Sequence, residues 1–230
     1  MKWNKLWILI FFPFFLTGCI NYTELNELGI IESIGIEKKD DQYLISVNMI
    51  DARSENDESD ELRKTYEVVG NTITEAMHNL YLKSTKKVYL SHLETLLLSE
   101  EVVKTDTSLL LDFFLSNPQS RNTFTTIVVK ENNPSVLLKK TDQTKDINDM
   151  IEINNQEYGI TSRITFEDFA RMLLEEGKDA ILPTIKLEND TLEVDGYAYF
   201  KDNKFQSYLS KEESITYNLL KNLNPLLLVT

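Results

Sequence analysis

Apolar residues follow three patterns along this chain. The first is a run of eleven uncharged, mostly aliphatic and aromatic residues at positions 6–16, which follows Lys2 and Lys5. A helix needs about 20 apolar residues to cross a bilayer, so this run is too short for a permanent span. A basic start, a short apolar centre and small residues after it are typical of an export signal. We therefore expect residues 1–18 to be a signal peptide.

The second pattern predicts strands. Residues 28–36 and 43–50 are rich in Ile, Leu and Val and are separated by a polar turn at 38–42, which predicts a hairpin. Residues 51–64 are acidic and almost free of apolar side chains. They lack the glycine at the centre of a calcium-binding loop, so a solvated loop is expected. Further strands are predicted at 65–69, 88–90, 93–98, 124–129, 180–187, 192–200 and 204–209.

The third pattern is helical spacing behind capping residues. Thr72 with Glu75, and Thr165 with Asp168, have the capping-box spacing. The predicted buried faces behind them are Ile73, Ala76, Met77 and Leu80 for the first helix, and Phe166, Phe169, Ala170, Leu173 and Leu174 for the second. Helices are also predicted at 100–115, briefly after Pro134, and from Lys211. The rest of residues 132–158 is polar, and little regular structure is expected there. The predicted fold class is α+β, with mixed, mostly antiparallel sheets and packed helices.

Composition excludes several classes of function. The formal net charge is −13, with 24 Lys and Arg against 37 Asp and Glu. Binding to nucleic acid relies on Lys and Arg that displace counterions from phosphates, so no nucleic-acid partner is expected. Cys19 is the only cysteine, which rules out an intramolecular disulfide and a Cys-rich metal site.

A search for catalytic residues finds no candidate. His78 and His92 are fourteen residues apart, and neither has a metal-ligand partner three or four residues away. The sequence contains no Gly-x-Ser-x-Gly motif and no glycine-rich phosphate loop. Carboxylates are plentiful, but no pair is distinguished from the others. We therefore expect a protein that is not an enzyme, with no catalytic, cofactor-binding or metal-binding residues.

Leu16-Thr17-Gly18-Cys19 resembles the bacterial lipobox. The resemblance implies that the Cys19 thiol receives a diacylglyceryl group and that cleavage then leaves Cys19 as the new N-terminus. Each buried methylene contributes about 0.8 kcal/mol, and two acyl chains anchor stably where one is marginal. The alternative is an ordinary signal peptide with a cysteine at this place by chance. The lipobox interpretation predicts an exported lipoprotein bound to the membrane surface.

Four segments in order after Cys19 resemble the C subunit of spore germinant receptors, the Ger(x)C lipoproteins of endospore-forming bacteria. They are residues 24–30, 84–100, 110–121 and 196–214. Two features depart from the family pattern: Ile20-Asn21 stands where Trp-Asp is usual, and family members continue well beyond the length of this chain. The resemblance implies a multi-domain lipoprotein that lacks most of its last domain. Residues 19–190 would be an N-terminal α/β domain and residues 191–230 an incomplete second domain.

The resemblance implies that the protein acts as a subunit of a complex, and it implies no catalysed reaction. A lipid-anchored, non-enzymatic C subunit would act with integral-membrane A and B subunits in nutrient-triggered spore germination. It would lie on the outer face of the inner spore membrane or the cell membrane, without a cofactor. The alternatives are a solute-binding lipoprotein of a vegetative transporter and an exported hydrolase. Segments 84–100 and 110–121 are interpreted as core elements in preference to a partner surface. Asp112, His92 and Arg121 are the polar positions to examine first for partner contacts.

Overall fold

The computed structural model describes residues 27–51, 63–105, 107–139 and 143–221, and within them nine strands form one sheet. The strands are β1 (Leu28–Lys39), β2 (Gln42–Asp51), β3 (Arg63–Gly70), β4 (Lys87–Tyr89), β5 (Thr95–Ser99), β6 (Thr125–Lys130), β7 (Ala180–Glu188), β8 (Thr191–Lys201) and β9 (Lys204–Leu209). The helices are α1 (Ile73–Lys83), α2 (Glu100–Thr105), α3 (Thr107–Ser116), α4 (Pro134–Lys139), α5 (Gln143–Tyr158), α6 (Phe166–Leu174) and α7 (Lys211–Leu220). The nine predicted strands and the hairpin of β1 and β2 are thus confirmed, although Leu90, residues 93–94 and Phe124 lie outside the observed strands.

The sheet is antiparallel at its sides and parallel at its centre. The strand order is β3-β2-β1-β5-β6-β7-β8-β9, and β4 pairs with the first residues of β1. Strands β1, β5, β6 and β7 run parallel, whereas β2, β3, β8 and β9 form antiparallel ladders. Most paired residues lie in the antiparallel ladders, as the sequence predicted. Every residue of β5 is buried, which is typical of a parallel strand covered on both faces.

Two apolar cores lie on the two faces of the sheet. The larger core packs α1, α2, α3 and α6 against the sheet, with Met77, Phe114 and Phe169 fully buried in it. The smaller core packs α4 and α5 against Leu97, Ile127 and Val129. The domain is therefore a sheet with helices on both sides. Within the described residues, no helix is both long enough and apolar enough to span a membrane.

Both predicted caps are present. Thr72 Oγ1 accepts a hydrogen bond from the Glu75 N–H (3.0 Å), while the Glu75 carboxylate accepts from the Asn71 N–H (2.8 Å), one residue before the cap. The capping box of α6 joins Thr165 and Asp168 in both directions. The predicted buried faces of α1 and α6 are correct except at one residue. Leu174 is 65% exposed because it is the last residue of α6.

The helical prediction at 100–115 is confirmed by α2 and α3, which lie on either side of residue 106, a residue outside the described ranges. One helix prediction was wrong. The region after α4, expected to have little regular structure, contains the 16-residue helix α5. Most residues of α5 are polar, so its helical pattern is weak in the sequence. Its apolar stripe is narrow and includes Ile147 and Ile151, which are one turn apart and fully buried.

The sheet continues past residue 190, the boundary expected between the two domains. Strand β8 pairs with β7 between Thr191 and Phe200, with one register shift, and β9 pairs with β8. Residues 191–209 therefore share one sheet with the preceding strands. The position of a domain boundary stays a prediction. The expected signal peptide and the predicted acidic loop at 52–62 lie outside the described residues.

The short helix α4 is held at both ends by side chains from the sheet. The buried Glu37 carboxylate accepts a hydrogen bond from the Ser135 N–H (2.6 Å) in the first turn. Asn48 Nδ2 donates to the Leu138 carbonyl (3.0 Å) in the last turn. Gly35 allows the close approach, because a Cβ there would lie 2.8 Å from Pro134 Cβ and 2.9 Å from Leu138 Cδ1.

We expect Gly35→Val to destabilise the protein by about 1–3 kcal/mol, because the added side chain overpacks the contact with α4. Urea denaturation of the purified protein measures the free energy of unfolding. Val136→Ala on the exposed side of α4 is the control and should change stability by less than about 0.5 kcal/mol. Equal stability of Gly35→Val and wild type would contradict the close packing.

Candidate functional site

A cleft of about 720 Å³ lies between α5, α6 and α7, where β7 begins. Ile164, Met172 and Ile181 supply apolar surface. Charged side chains from five separate segments also line it, namely Glu152, Arg163, Asp168, Arg171, Lys178, Asp179 and Lys221. Its volume is in the range of clefts that bind small molecules. This combination suits a polar solute or a partner's side chain.

A buried hydrogen-bond chain joins α7 to the loop that borders the cleft. The Tyr197 hydroxyl accepts from the Ser162 N–H and donates to Asn218 Oδ1 (3.0 Å). Asn218 Nδ2 donates to the carbonyls of Gly159 (2.7 Å) and Ile160 (3.3 Å). Tyr197 and Asn218 are fully buried. Breaking these hydrogen bonds would leave buried polar groups unpaired and so destabilise the fold. The hydrogen bonds therefore hold α7 and the loop in one relative position.

The cationic groups of the cleft are held by neighbouring side chains. Arg171 pairs with Asp168, and Lys178 Nζ lies 2.7 Å from Glu175 Oε2. Arg163 Nε donates to Thr125 Oγ1 (2.9 Å). The surface of the cleft therefore carries both signs of charge. Such a surface favours ligands or partners that carry both charges.

The Ser162 hydroxyl is not arranged as a nucleophile. Its oxygen donates to Asn155 Oδ1 (3.3 Å), and an amide oxygen cannot act as a general base at neutral pH. No group of three or more His, Cys, Asp or Glu side chains that could hold a metal occurs among the described residues.

Tyr217 lines the cleft on α7 and has a raised pKa. Burial raises its pKa to about 12, and the negative charges of Asp179 and, when ionised, of Tyr197 and Tyr199 act in the same direction. The Lys221 ammonium lies 5.9 Å from the centre of the Tyr217 ring. The phenol of Tyr217 is therefore neutral at physiological pH.

The residues highlighted by the sequence lie apart from this cleft. His78 is exposed on α1, and His92 is exposed between β4 and β5 with its ring 6.0 Å from that of Tyr89. Arg121 is exposed between α3 and β6. Asp112 lies in a second cleft, of about 550 Å³, between α3 and the start of α1. Cys19 lies outside the described residues.

Sequence reasoning did not single out the cleft beside α7. The sequence marks Asp168 only as a helix cap and gives no signal for Arg163, Arg171 or Lys221. Asp168 and Arg171 share α6, but Arg163 and Lys221 come from other elements, and no spacing along the chain relates the whole set. The sequence offered no local signal for a site that forms only when three helices pack around the start of β7.

Residues 21–187 match the family described as "Spore germination protein N-terminal domain". The chain belongs to this family. It is 27% identical over 89% of its length to the putative spore germination protein YfkR of Bacillus subtilis (strain 168). It is 24% identical over 87% of its length to the spore germination protein KC of the same strain, and 22% identical over 94% to GerQC of Bacillus cereus. The resemblance to germinant receptor C subunits is confirmed.

The family members are longer than the matched region. The chain spans 57% of the length of YfkR and of KC, and 61% of GerQC. Among solved structures, that of the GerBC protein matches with 19% identity over 80% of this chain and 54% of that chain, at a TM-score of 0.39. The family model ends at residue 187, within β7.

We expect Tyr197→Phe to destabilise the protein by about 1–3 kcal/mol, because it leaves the Ser162 N–H and Asn218 Oδ1 buried without their partner. The free energy of unfolding in urea measures this loss. Tyr158→Phe is the matched control. Because Tyr158 is 61% exposed, this substitution should leave the free energy of unfolding almost unchanged. An unchanged free energy of unfolding in Tyr197→Phe would show that these hydrogen bonds do not hold α7 in place.

The free energy of unfolding should also fall at high pH, because the buried phenol of Tyr217 ionises less readily than the phenol of the unfolded chain. The unfolded phenol has a pKa of about 10 and the folded one about 12, so folding favours the neutral form. The resulting stabilisation is complete below about pH 10 and is lost as the pH rises through about 12. Tyr217→Phe should lose less stability than wild type over this range. Parallel curves for the two proteins from about pH 9 to about pH 12 would contradict the raised pKa.

Proposed function

We propose that this protein is a lipid-anchored, non-enzymatic C subunit of a nutrient germinant receptor. The observation that carries the proposal is the position of the family match, which begins at residue 21, two residues after the lipobox-like Leu16-Thr17-Gly18-Cys19. The relatives KC and GerQC are named as spore germination proteins. Spore germination is therefore the process in which the family acts, and lipid at Cys19 supplies the anchor.

The proposed partners are an integral-membrane A subunit and a B subunit of the same receptor. The proposed location is the outer face of the inner spore membrane or the cell membrane, where acylated Cys19 holds the chain. The clefts and charged surfaces described above are suited to recognition, and we assign no catalytic residue to them. The α/β domain at 19–190 and a second domain from 191 remain part of this proposal, because the relatives are longer.

Deletion of the gene should slow nutrient-triggered germination, measured as loss of spore refractility, and leave vegetative growth normal. Wild type should restore germination, whereas Cys19→Ala should restore it poorly because the chain is no longer acylated. Asn21→Ala is the matched control beside the acylation site and should behave as wild type. If Cys19→Ala restored germination fully and was present in spores at the wild-type amount, the lipid would not be needed for function. Expression restricted to growing cells would refute the role in germination.

A solute-binding lipoprotein is the second candidate, favoured by the size and mixed charge of the cleft beside α7. A solute that binds only the folded state stabilises it by about 2.7 kcal/mol at a hundredfold excess over its Kd. Thermal unfolding in the presence of amino acids, sugars and nucleosides tests this function. A rise in Tm that Arg171→Gln abolishes would support solute binding, and an unchanged Tm with every solute would refute it.

A further inference from the structure

The cleft beside α7 is richer in positive charge than the chain as a whole. Among the described residues that line it, the cations are Arg163, Arg171, Lys178 and Lys221, and the carboxylates are Glu152, Asp168 and Asp179. Cations are thus in the majority in the cleft, whereas the chain has 24 Lys and Arg against 37 Asp and Glu. A cleft enriched in cations on an acidic protein favours ligands that carry an anionic group.

Some of these charges already have a partner of opposite sign. Arg171 pairs with Asp168, and Lys178 pairs with a carboxylate three residues before it. Within the part of the chain that the structure describes, no carboxylate lies within ion-pair distance of Arg163 or Lys221. The cleft therefore contains two cations whose charge no side chain neutralises.

Neutral acceptors hold the Arg163 side chain in place. Its Nε donates to Thr125 Oγ1 (2.9 Å), and its Nη2 donates to the Thr123 carbonyl (3.4 Å). The next residue, Ile164, accepts a backbone hydrogen bond from the Thr126 N–H of β6 (3.0 Å). The guanidinium still has unused N–H groups on Nη1 and Nη2, which is the edge that binds a carboxylate through two parallel hydrogen bonds. Arg163 is exposed, so a solute can reach this edge.

Two carboxylates that line the cleft have no cationic partner among the described residues. They are Glu152 on α5 and Asp179 directly before β7. The Glu152 carboxylate accepts from the neutral amide of Gln156 (3.2 Å). Asp179 lies beside two phenols: burial raises the pKa of Tyr199 and of Tyr217, and the negative charge of Asp179 raises both further. The cleft therefore also has negative charge that is available to an ammonium group.

We propose that the cleft beside α7 binds a small solute that carries both a carboxylate and an ammonium group, and that Arg163 holds the carboxylate. Lys221 adds positive charge from the end of α7, and Glu152 and Asp179 stabilise the ammonium group of the solute. The inference rests on solute binding in this cleft, the second candidate function above, and it names the class of solute.

Compounds with the same four-carbon chain and different end groups test this class of solute. They are γ-aminobutyrate, which carries both charges, succinate, putrescine and the uncharged butanediol. Isothermal titration calorimetry on the full chain at constant ionic strength measures each Kd. γ-Aminobutyrate should bind several-fold more tightly than the other compounds, because it alone matches both signs of charge. Absence of γ-aminobutyrate binding, or equal binding of putrescine or butanediol, would overturn the proposal, and tighter binding of succinate would overturn the ammonium site.

Substitution of Arg163 tests the residue that holds the carboxylate. Arg163→Gln should raise the Kd for γ-aminobutyrate about tenfold or more, because the charge-assisted hydrogen bonds are lost. Arg163→Lys keeps the charge without the planar fork and should recover only part of the affinity. Arg121→Gln is the matched control, since Arg121 is exposed and does not line the cleft. An unchanged Kd in Arg163→Gln would contradict the assignment.

A measurement on the wild-type protein avoids any effect of substitution on folding. Phenylglyoxal modifies accessible arginines, and mass spectrometry gives the rate at each one. Saturating γ-aminobutyrate should slow the modification of Arg163 several-fold and leave that of Arg121 unchanged. Equal rates at Arg163 with and without the solute would show that Arg163 does not hold the carboxylate.

These experiments separate the class of solute from solute binding itself. If a sugar or a nucleoside binds with a Kd that Arg163→Gln does not change, the cleft binds solutes and the proposed class is wrong. If no solute binds, both the class and the second candidate function are wrong. Deletion of the gene tests the role in germination independently of either result.

Discussion

Four parallel strands at the centre of the sheet impose the main constraint on this protein. Strands β1, β5, β6 and β7 cannot be joined by tight turns, because parallel neighbours require crossover connections. Their side chains are apolar on both faces, so both faces must be covered. The helices between these strands meet both requirements at once. The antiparallel strands at the two sides extend the sheet beyond this centre.

The candidate surfaces follow from this arrangement. The cleft beside α7 forms where α5, α6 and α7 meet near the beginning of β7. Its shape depends on the buried contacts of Tyr197 and Asn218, which hold α7 to the loop after α5.

Elements with strong local signals were predictable. The hairpin of β1 and β2 has alternating apolar residues and a turn in which Asp40 and Asp41 adopt positive φ. Thr72 and Thr165 marked the helix starts, because a side-chain oxygen there satisfies an otherwise unpaired N–H. Helix α5 was missed because its helical state depends on burying Ile147 and Ile151 against the sheet, which a polar composition does not reveal.

By itself the sequence determined the class of elements, the capped helices, the family and the position of the lipobox-like cysteine. These features are local, since they depend on residues that are neighbours or one helical turn apart. Tertiary structure decided the parallel order of the central strands, the burial of α5 and the grouping of charged residues around the cleft. Those features join residues far apart in the chain, and a contact such as that of Tyr197 with Asn218 exists only once the helices have packed.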